Sequence, residues 1–346
     1  MENTTTGNTT NISVIVQHSD INITLDGTEY VLLPLLFIFG VIGNFVTIAV
    51  MRSPSFRTLP VSKMLIAMSL SDIVLNLLLP FNKPIVRQAI GIDIRALSSG
   101  GCKLFFWTYR FTKTTSSWMV VLMSMERFVA VWLPIKAKLV NTDRNVYITT
   151  AILCGALAAF FGYWCSWADQ IIDDSCIVNS QPAGFEHLSE IFLLCGVLLY
   201  SVIPSIFLVT FNGLIVYKLI TMRKKIAPEG KNNSQSSAHL APPLGCKRPK
   251  STVNSRTTIM LLSIAISFLI LVTPNTVAHF VMFFRKEAMF ETMDPVMASL
   301  SETAQIMEQF NHAIHFTMYV VFNKRFRDGV FVIFKAKKSH QNESSN

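Results

Sequence analysis

Long stretches without a single charged side chain dominate this sequence: residues 30–51, 145–168, 191–217 and 257–284, the last with one histidine read as neutral. The hydrocarbon core of a bilayer is about 30 Å thick and takes about 20 apolar residues wound as a helix. Only a helix or a closed barrel satisfies backbone N–H and C=O groups at that depth. Three further stretches are apolar with interruptions. Residues 64–82 are broken by Asp72, residues 295–322 by Glu302 and Glu308, and residues 102–133 by charges that include Arg110, Lys113, Glu126 and Arg127 around an uncharged centre at 114–125. The reading is an all-α membrane protein with a seven-transmembrane helix bundle. Charged residues make up only 15% of the chain, where a soluble domain carries about 25%. A water-soluble enzyme of this size is thereby excluded. Six cysteines and modest Gly and Pro counts exclude a disulfide scaffold or a fibrous chain.

Charge sets the orientation. With the N-terminus outside, 22 of the 30 Lys and Arg fall on the inner loops and the C-terminal tail, as the positive-inside rule requires. The net charge of +9 is then a topology signal, and no nucleic-acid partner is expected. Residues 1–29 read as an extracellular glycosylated tail. They contain no Lys or Arg and carry sequons at Asn3, Asn8, Asn11 and Asn22. Residues 30–322 form the transmembrane domain, with a cytoplasmic loop at 224–256 rich in Lys, Ser, Pro and Asn. Residues 323–346 follow as a short amphipathic helix and a cytoplasmic tail. The expected location is the plasma membrane, multi-pass, with membrane lipids around it.

A series of motifs falls in order along these spans. It begins with Gly43-Asn44, then Leu70-Ser71-Asp72 with Pro80, then Cys102 ahead of Glu126-Arg127-Phe128, with Pro134 in the next loop. Pro204 follows in the fifth span and Phe268 with Pro274 in the sixth, and Tyr319 precedes Asn323-Lys324-Arg325-Phe326-Arg327. In this pattern the chain resembles rhodopsin-like (class A) G-protein-coupled receptors, neuropeptide receptors among them, over residues 30 to 336. The resemblance implies a disulfide between Cys102 and Cys176, both on the oxidising outer side. It implies an inner site for a heterotrimeric G protein at Glu126, Arg127, Ile135, Lys324 and Arg325, with arrestin as a further partner. Phe268, Pro274, His315 and Tyr319 take the positions of the activation switch. A possible sodium ion is implied at Asp72, Ser116 and Asn311, although His315, standing where the family has asparagine, offers Asp72 a direct partner instead. Other departures are Val272 at the toggle tryptophan, Asn212 at a fifth-helix tyrosine, Asn254 at the sixth-helix acid, and Phe316 where a proline kinks the seventh helix.

For the ligand, Tyr109 stands where amine receptors of the family carry aspartate, and the seventh span lacks the lysine that an opsin needs. Lys83 with Arg87, and Arg110 with Lys113, share helix faces by their spacing, and cations in a membrane line wet cavities or meet acids. Glu302 and Glu308 are the candidate acids; a structural Lys113–Glu308 pair and a charged ligand vestibule are equally compatible with the sequence. The outer acids Asp169, Asp173, Asp174, Glu186 and Glu190 favour an approaching cation. The expected pocket comprises Lys83, Arg87, Tyr109, Arg110, Lys113, His279, Gln305 and Glu308, and the expected ligand is a short extracellular peptide. The alternatives are a class A receptor for an acidic small molecule or lipid and, further off, a transporter or channel. No catalytic motif is present, so an enzyme is not expected.

Overall fold

The computed structural model of the protein describes residues 31–82, 91–172, 174–178, 186–226, 255–285 and 295–343. The sequons, Lys83, Arg87, Asp173, Asn254 and nearly all of the inner loop lie outside these residues. Seven long helices run through the described residues. The first is Val31–Arg52, the second Pro60–Asn82, the third Ser99–Trp132 and the fourth Asp143–Ala168. The fifth is built from Glu186–Val197 and Ile203–Ile226 joined by a π turn at Leu198–Val202. The sixth is Ser255–Arg285 and the seventh Pro295–Phe322. Five of them are long and apolar enough to cross a membrane by composition alone; the third and seventh are diluted by the charges noted above.

Local chemistry marks the ends and irregularities. The Ser98 side chain accepts the Gly101 N–H at the start of the third helix, and Thr142 accepts that of Asn145 at the start of the fourth. Pro134 opens the inner-loop helix Pro134–Val140, where its missing N–H costs nothing. Pro204 has no N–H to offer the preceding turn. The fifth helix widens just ahead of it, and the Ile203 N–H reaches the Leu198 carbonyl. That π turn buries Tyr200 and Ser201 and leaves the Leu199 carbonyl to accept Trp118 Nε1 of the third helix at 2.9 Å. The seventh helix, lacking a proline at Phe316, is unbroken from Pro295 to Phe322.

The helices close on a core of Met, Leu, Ile and Phe that includes Met119, Met123, Phe268 and Tyr319, all fully buried. Gly43 lets the first and seventh helices approach, since a Cβ there would stand 2.8 Å from that of Phe316. Asn44 stitches the same contact, donating to the Gly40 carbonyl at 2.8 Å and to that of His312 at 3.3 Å. An eighth helix, Lys324–Glu343, turns away at Asn323 and inserts Phe326 between Phe316 and Tyr319. It runs much further than the short element the sequence motif implied. Phe39, Phe45, Ile152, Ile206 and Ile270 are exposed, an outward apolar face that suits lipid.

At the end of the bundle that the charge pattern assigns to the outside, β1 (Asp169–Ile172) and β2 (Ser175–Val178) form an antiparallel hairpin, pinned to the third helix by the Cys102–Cys176 disulfide, Cα to Cα 5.6 Å. Asp93 organises the same corner. It accepts Arg95 Nε at 2.9 Å, Arg95 Nη2 at 2.8 Å and the Cys176 N–H at 3.1 Å. Burial alone would raise the Asp93 pKa, but the bonds from Arg95 and Cys176 outweigh it and hold the carboxyl below its ordinary value. The folded chain therefore binds this proton less tightly than the unfolded chain. The resulting stabilisation is complete above the ordinary aspartate range and is lost as pH falls toward the lowered value. Asp93→Asn should lower the unfolding temperature of the detergent-solubilised protein at pH 7, and the gap to the unmodified protein should close in acid. Equal temperatures at neutral pH would contradict this.

Candidate functional site

Between the third to seventh helices, in the outer half, lies a cavity of about 200 Å³. Its walls are aromatic, with Phe106 and Tyr109 from the third helix, Phe161 and Trp164 from the fourth, and Tyr200 from the π turn of the fifth. Polar groups enter from Arg110, Lys113, Asn275, His279 and Gln305. Of the residues expected in a pocket, Tyr109, Arg110, Lys113, His279 and Gln305 line this cavity, and Glu308 sits one helical turn inward of Gln305.

Of the four cations expected to give the vestibule its charge, Lys83 and Arg87 lie outside the described residues, and Arg110 and Lys113 are matched. Arg110 makes a bidentate pair with Asp169, Nη1 to Oδ2 at 2.7 Å and Nη2 to Oδ1 at 2.9 Å. Its guanidinium also lies 4.3 Å from the Trp164 ring centroid and 5.0 Å from that of Phe106, and Nη1 is 2.8 Å from Cys165 Sγ. Asp169 is fully buried. It was expected among outer-loop acids that attract a cation; the hairpin instead folds it inward, where it holds Arg110. Lys113 Nζ is 2.5 Å from Glu308 Oε1 and 4.1 Å from the Tyr200 ring centroid. The other oxygen, Glu308 Oε2, accepts a hydrogen bond from Asn275 Nδ2. Glu308 is thus held by the third and sixth helices at once. His279 Nδ1 lies 2.7 Å from the Asn275 carbonyl one turn away.

Below the pocket is a polar core around Asp72, which is wholly buried. Its Oδ1 accepts Ser116 Oγ at 2.6 Å and His312 Nδ1 at 2.9 Å, and its Oδ2 accepts His315 Nδ1 at 2.8 Å. Ser116 and His315 are where the sequence placed them. His312 was not among the expected residues. The signal was present in its spacing, since Glu308, His312 and His315 recur at i, i+4 and i+7 on one helix face. Asn311 is buried, and neither of its side-chain polar atoms has a hydrogen-bond partner.

At the inner end Arg127 Nε stands 2.8 Å from Glu126 Oε2, while Asn141 Nδ2 approaches Glu126 Oε1 at 3.4 Å. Ile135 is 84% exposed on the inner-loop helix, so its apolar side chain is free for a partner. Arg325 donates to the Ser55 carbonyl and covers the Phe56 ring at 5.0 Å. Asn212 reaches Ser124 Oγ at 3.3 Å, joining the fifth helix to the third. Phe268 is fully buried under the sixth-helix Pro274.

Comparison with known proteins agrees with this architecture. Residues 43–320 match the family model described as 7 transmembrane receptor (rhodopsin family), whose members are receptors and not enzymes. Galanin receptor 2b of Danio rerio is 23% identical over 175 residues, 50% of this chain. The chain spans 45% of the length of that curated relative. With seven helices, a pinned outer hairpin and a family match across most of its length, the chain belongs to the rhodopsin family of seven-transmembrane receptors.

Proposed function

We propose that this receptor sits in the plasma membrane with its N-terminus outside, binds a short extracellular peptide in the outer pocket, and activates a heterotrimeric G protein from the inner crevice. The observation that supports a peptide is the charge balance of the pocket. Among the described residues, Arg110 and Lys113 each have a dedicated carboxylate, and the other lining groups are aromatic rings, apolar side chains and neutral hydrogen-bonding groups. An acidic metabolite would have to break one of these pairs and leave a carboxylate uncompensated in a dry site. A peptide end offers aromatic or aliphatic side chains for the rings and backbone amides for Gln305, Asn275 and His279. The partial match to galanin receptor 2b, by name a receptor for galanin, points the same way.

The mechanism is a population shift. The peptide favours the state with the sixth helix swung outward at Pro274, and the G protein favours the same state from inside, so each raises the other's affinity. Arg127, Glu126, Ile135, Lys324 and Arg325 form the inner contact, and arrestin competes for it. Surrounding lipids cover the exposed apolar faces.

Two measurements test this reading. In cells displaying the full chain, G-protein activation should be triggered by members of a short-peptide panel and not by a panel of acidic metabolites; the reverse result would overturn it. Arg127→Ala should remove that activation while antibody staining shows unchanged surface display, and full signalling in that variant would refute the inner-site assignment.

A further inference from the structure

We infer that the Lys113–Glu308 pair is the element that reads the ligand, and that the group it reads is a terminal carboxamide inserted between ammonium and carboxylate. This rests on the peptide reading and narrows it to one chemistry. Lys113 lines the pocket and its partner Glu308 lies just behind it, their side chains 14% and 3% exposed. A ligand that reaches the floor meets two opposite charges that are each other's main partner. A free carboxylate can take Lys113 only by displacing Glu308, which then faces a like charge without its cation. An ammonium group has the mirror problem at Lys113. A primary carboxamide has neither. Its carbonyl oxygen accepts from Lys113 Nζ, its N–H donates to Glu308 Oε1, and the net charge of the site is unchanged.

The site already holds such a group. Asn275, whose side chain ends in a primary carboxamide, donates to Glu308 Oε2 and lines the same cavity. The second carboxylate oxygen is therefore adapted to the donor that a ligand amide would bring to the first. Around it, the rings of Tyr109 and Tyr200 already flank the Lys113 ammonium and offer an apolar berth for the residue preceding the amide. The same contacts tie the third, sixth and seventh helices together, so insertion of the amide loosens the three elements whose relative positions define the resting state.

The test uses the full chain in cells and has two arms. Matched short peptides, each synthesised as C-terminal amide and as free acid, are assayed for G-protein activation. Amides should be the active forms, with free acids weaker by about tenfold or more, the worth of a hydrogen bond to a charged group. Equal or greater potency of the acids overturns the inference. In the second arm, which needs no ligand, Glu308→Gln and Lys113→Met should each raise agonist-free signalling at matched surface density. The exchange Lys113→Glu with Glu308→Lys should lower it again. Agonist-free signalling unchanged in both single variants also overturns the inference. If only acidic metabolites activate the receptor while the variants behave as stated, the peptide reading fails and the pair survives as a resting-state tie.

A different observation carries a second inference. The geometry at Asp72 points to a core that holds no sodium ion. A cation needs the lone pairs of the carboxylate, and here those of Asp72 face three donors, Ser116, His312 and His315. The purified receptor should unfold at the same temperature in sodium chloride and in N-methylglucamine chloride of equal ionic strength. The double variant His312→Ser with His315→Asn, which frees the oxygens, should gain a sodium-specific rise. A sodium-specific rise in the unmodified receptor, or none in the double variant, overturns the inference.

Discussion

A charge carried into a bilayer has to be matched inside it, and the arrangement of this receptor follows from how its buried charges are matched. Arg110 takes Asp169 from the outer hairpin, Lys113 takes Glu308 from the seventh helix, and Asp72 takes two histidines and a serine. Each match crosses between elements distant in the chain. Desolvation makes each group intolerant of losing its partner, so the pairs fix which helix faces meet more sharply than the apolar contacts around them do. The packing of Met and Leu side chains in the core tolerates small adjustments; a bidentate guanidinium on a carboxylate does not.

The seventh helix concentrates this logic on one stripe. Glu308, His312, His315 and Tyr319 recur at intervals of three and four residues, so they share a face that runs from the pocket floor to the inner end. Glu308 answers to the ligand pocket, His312 and His315 to Asp72, and Tyr319 to Phe326 of the eighth helix at 5.4 Å between ring centroids. A rotation or shift of this helix changes all four contacts together. Without a proline at Phe316 the helix is continuous from Pro295 to Phe322, which favours movement as one rod over bending in the middle.

Much of this was legible in the sequence because the bilayer imposes a simple rule on length and charge. The uncharged stretches became helices with ends close to the expected ones, and the implied cysteine pair is a disulfide. The third helix was legible through its uncharged centre at 114–125, while Arg110 and Lys113 read as interruptions until their acids are seen. Asp169 illustrates the limit. At the boundary of a span, an acid that faces water and one that folds back onto the bundle have the same sequence context. Only the hairpin, set by the disulfide and by Asp93, decides which it is. His312 escaped for a different reason: a histidine beside a known switch position is ordinarily filler, and its role appears only when Asp72 of the second helix comes within 2.9 Å.

One departure from the family pattern lies on the sixth helix. Val272 stands where the family carries a large aromatic, and it is buried. One turn along the sixth helix from Val272, Asn275 joins Lys113 and Glu308 in a charged cluster shared by the third, sixth and seventh helices. An aromatic switch works by steric exclusion and so responds to ligand bulk. An ion pair responds to hydrogen-bonding chemistry, because only a group that satisfies both partners can separate them at low cost. If this pair reads the ligand, as inferred above, selectivity would rest on the donor and acceptor pattern of the ligand's end rather than on the size of its deepest residue.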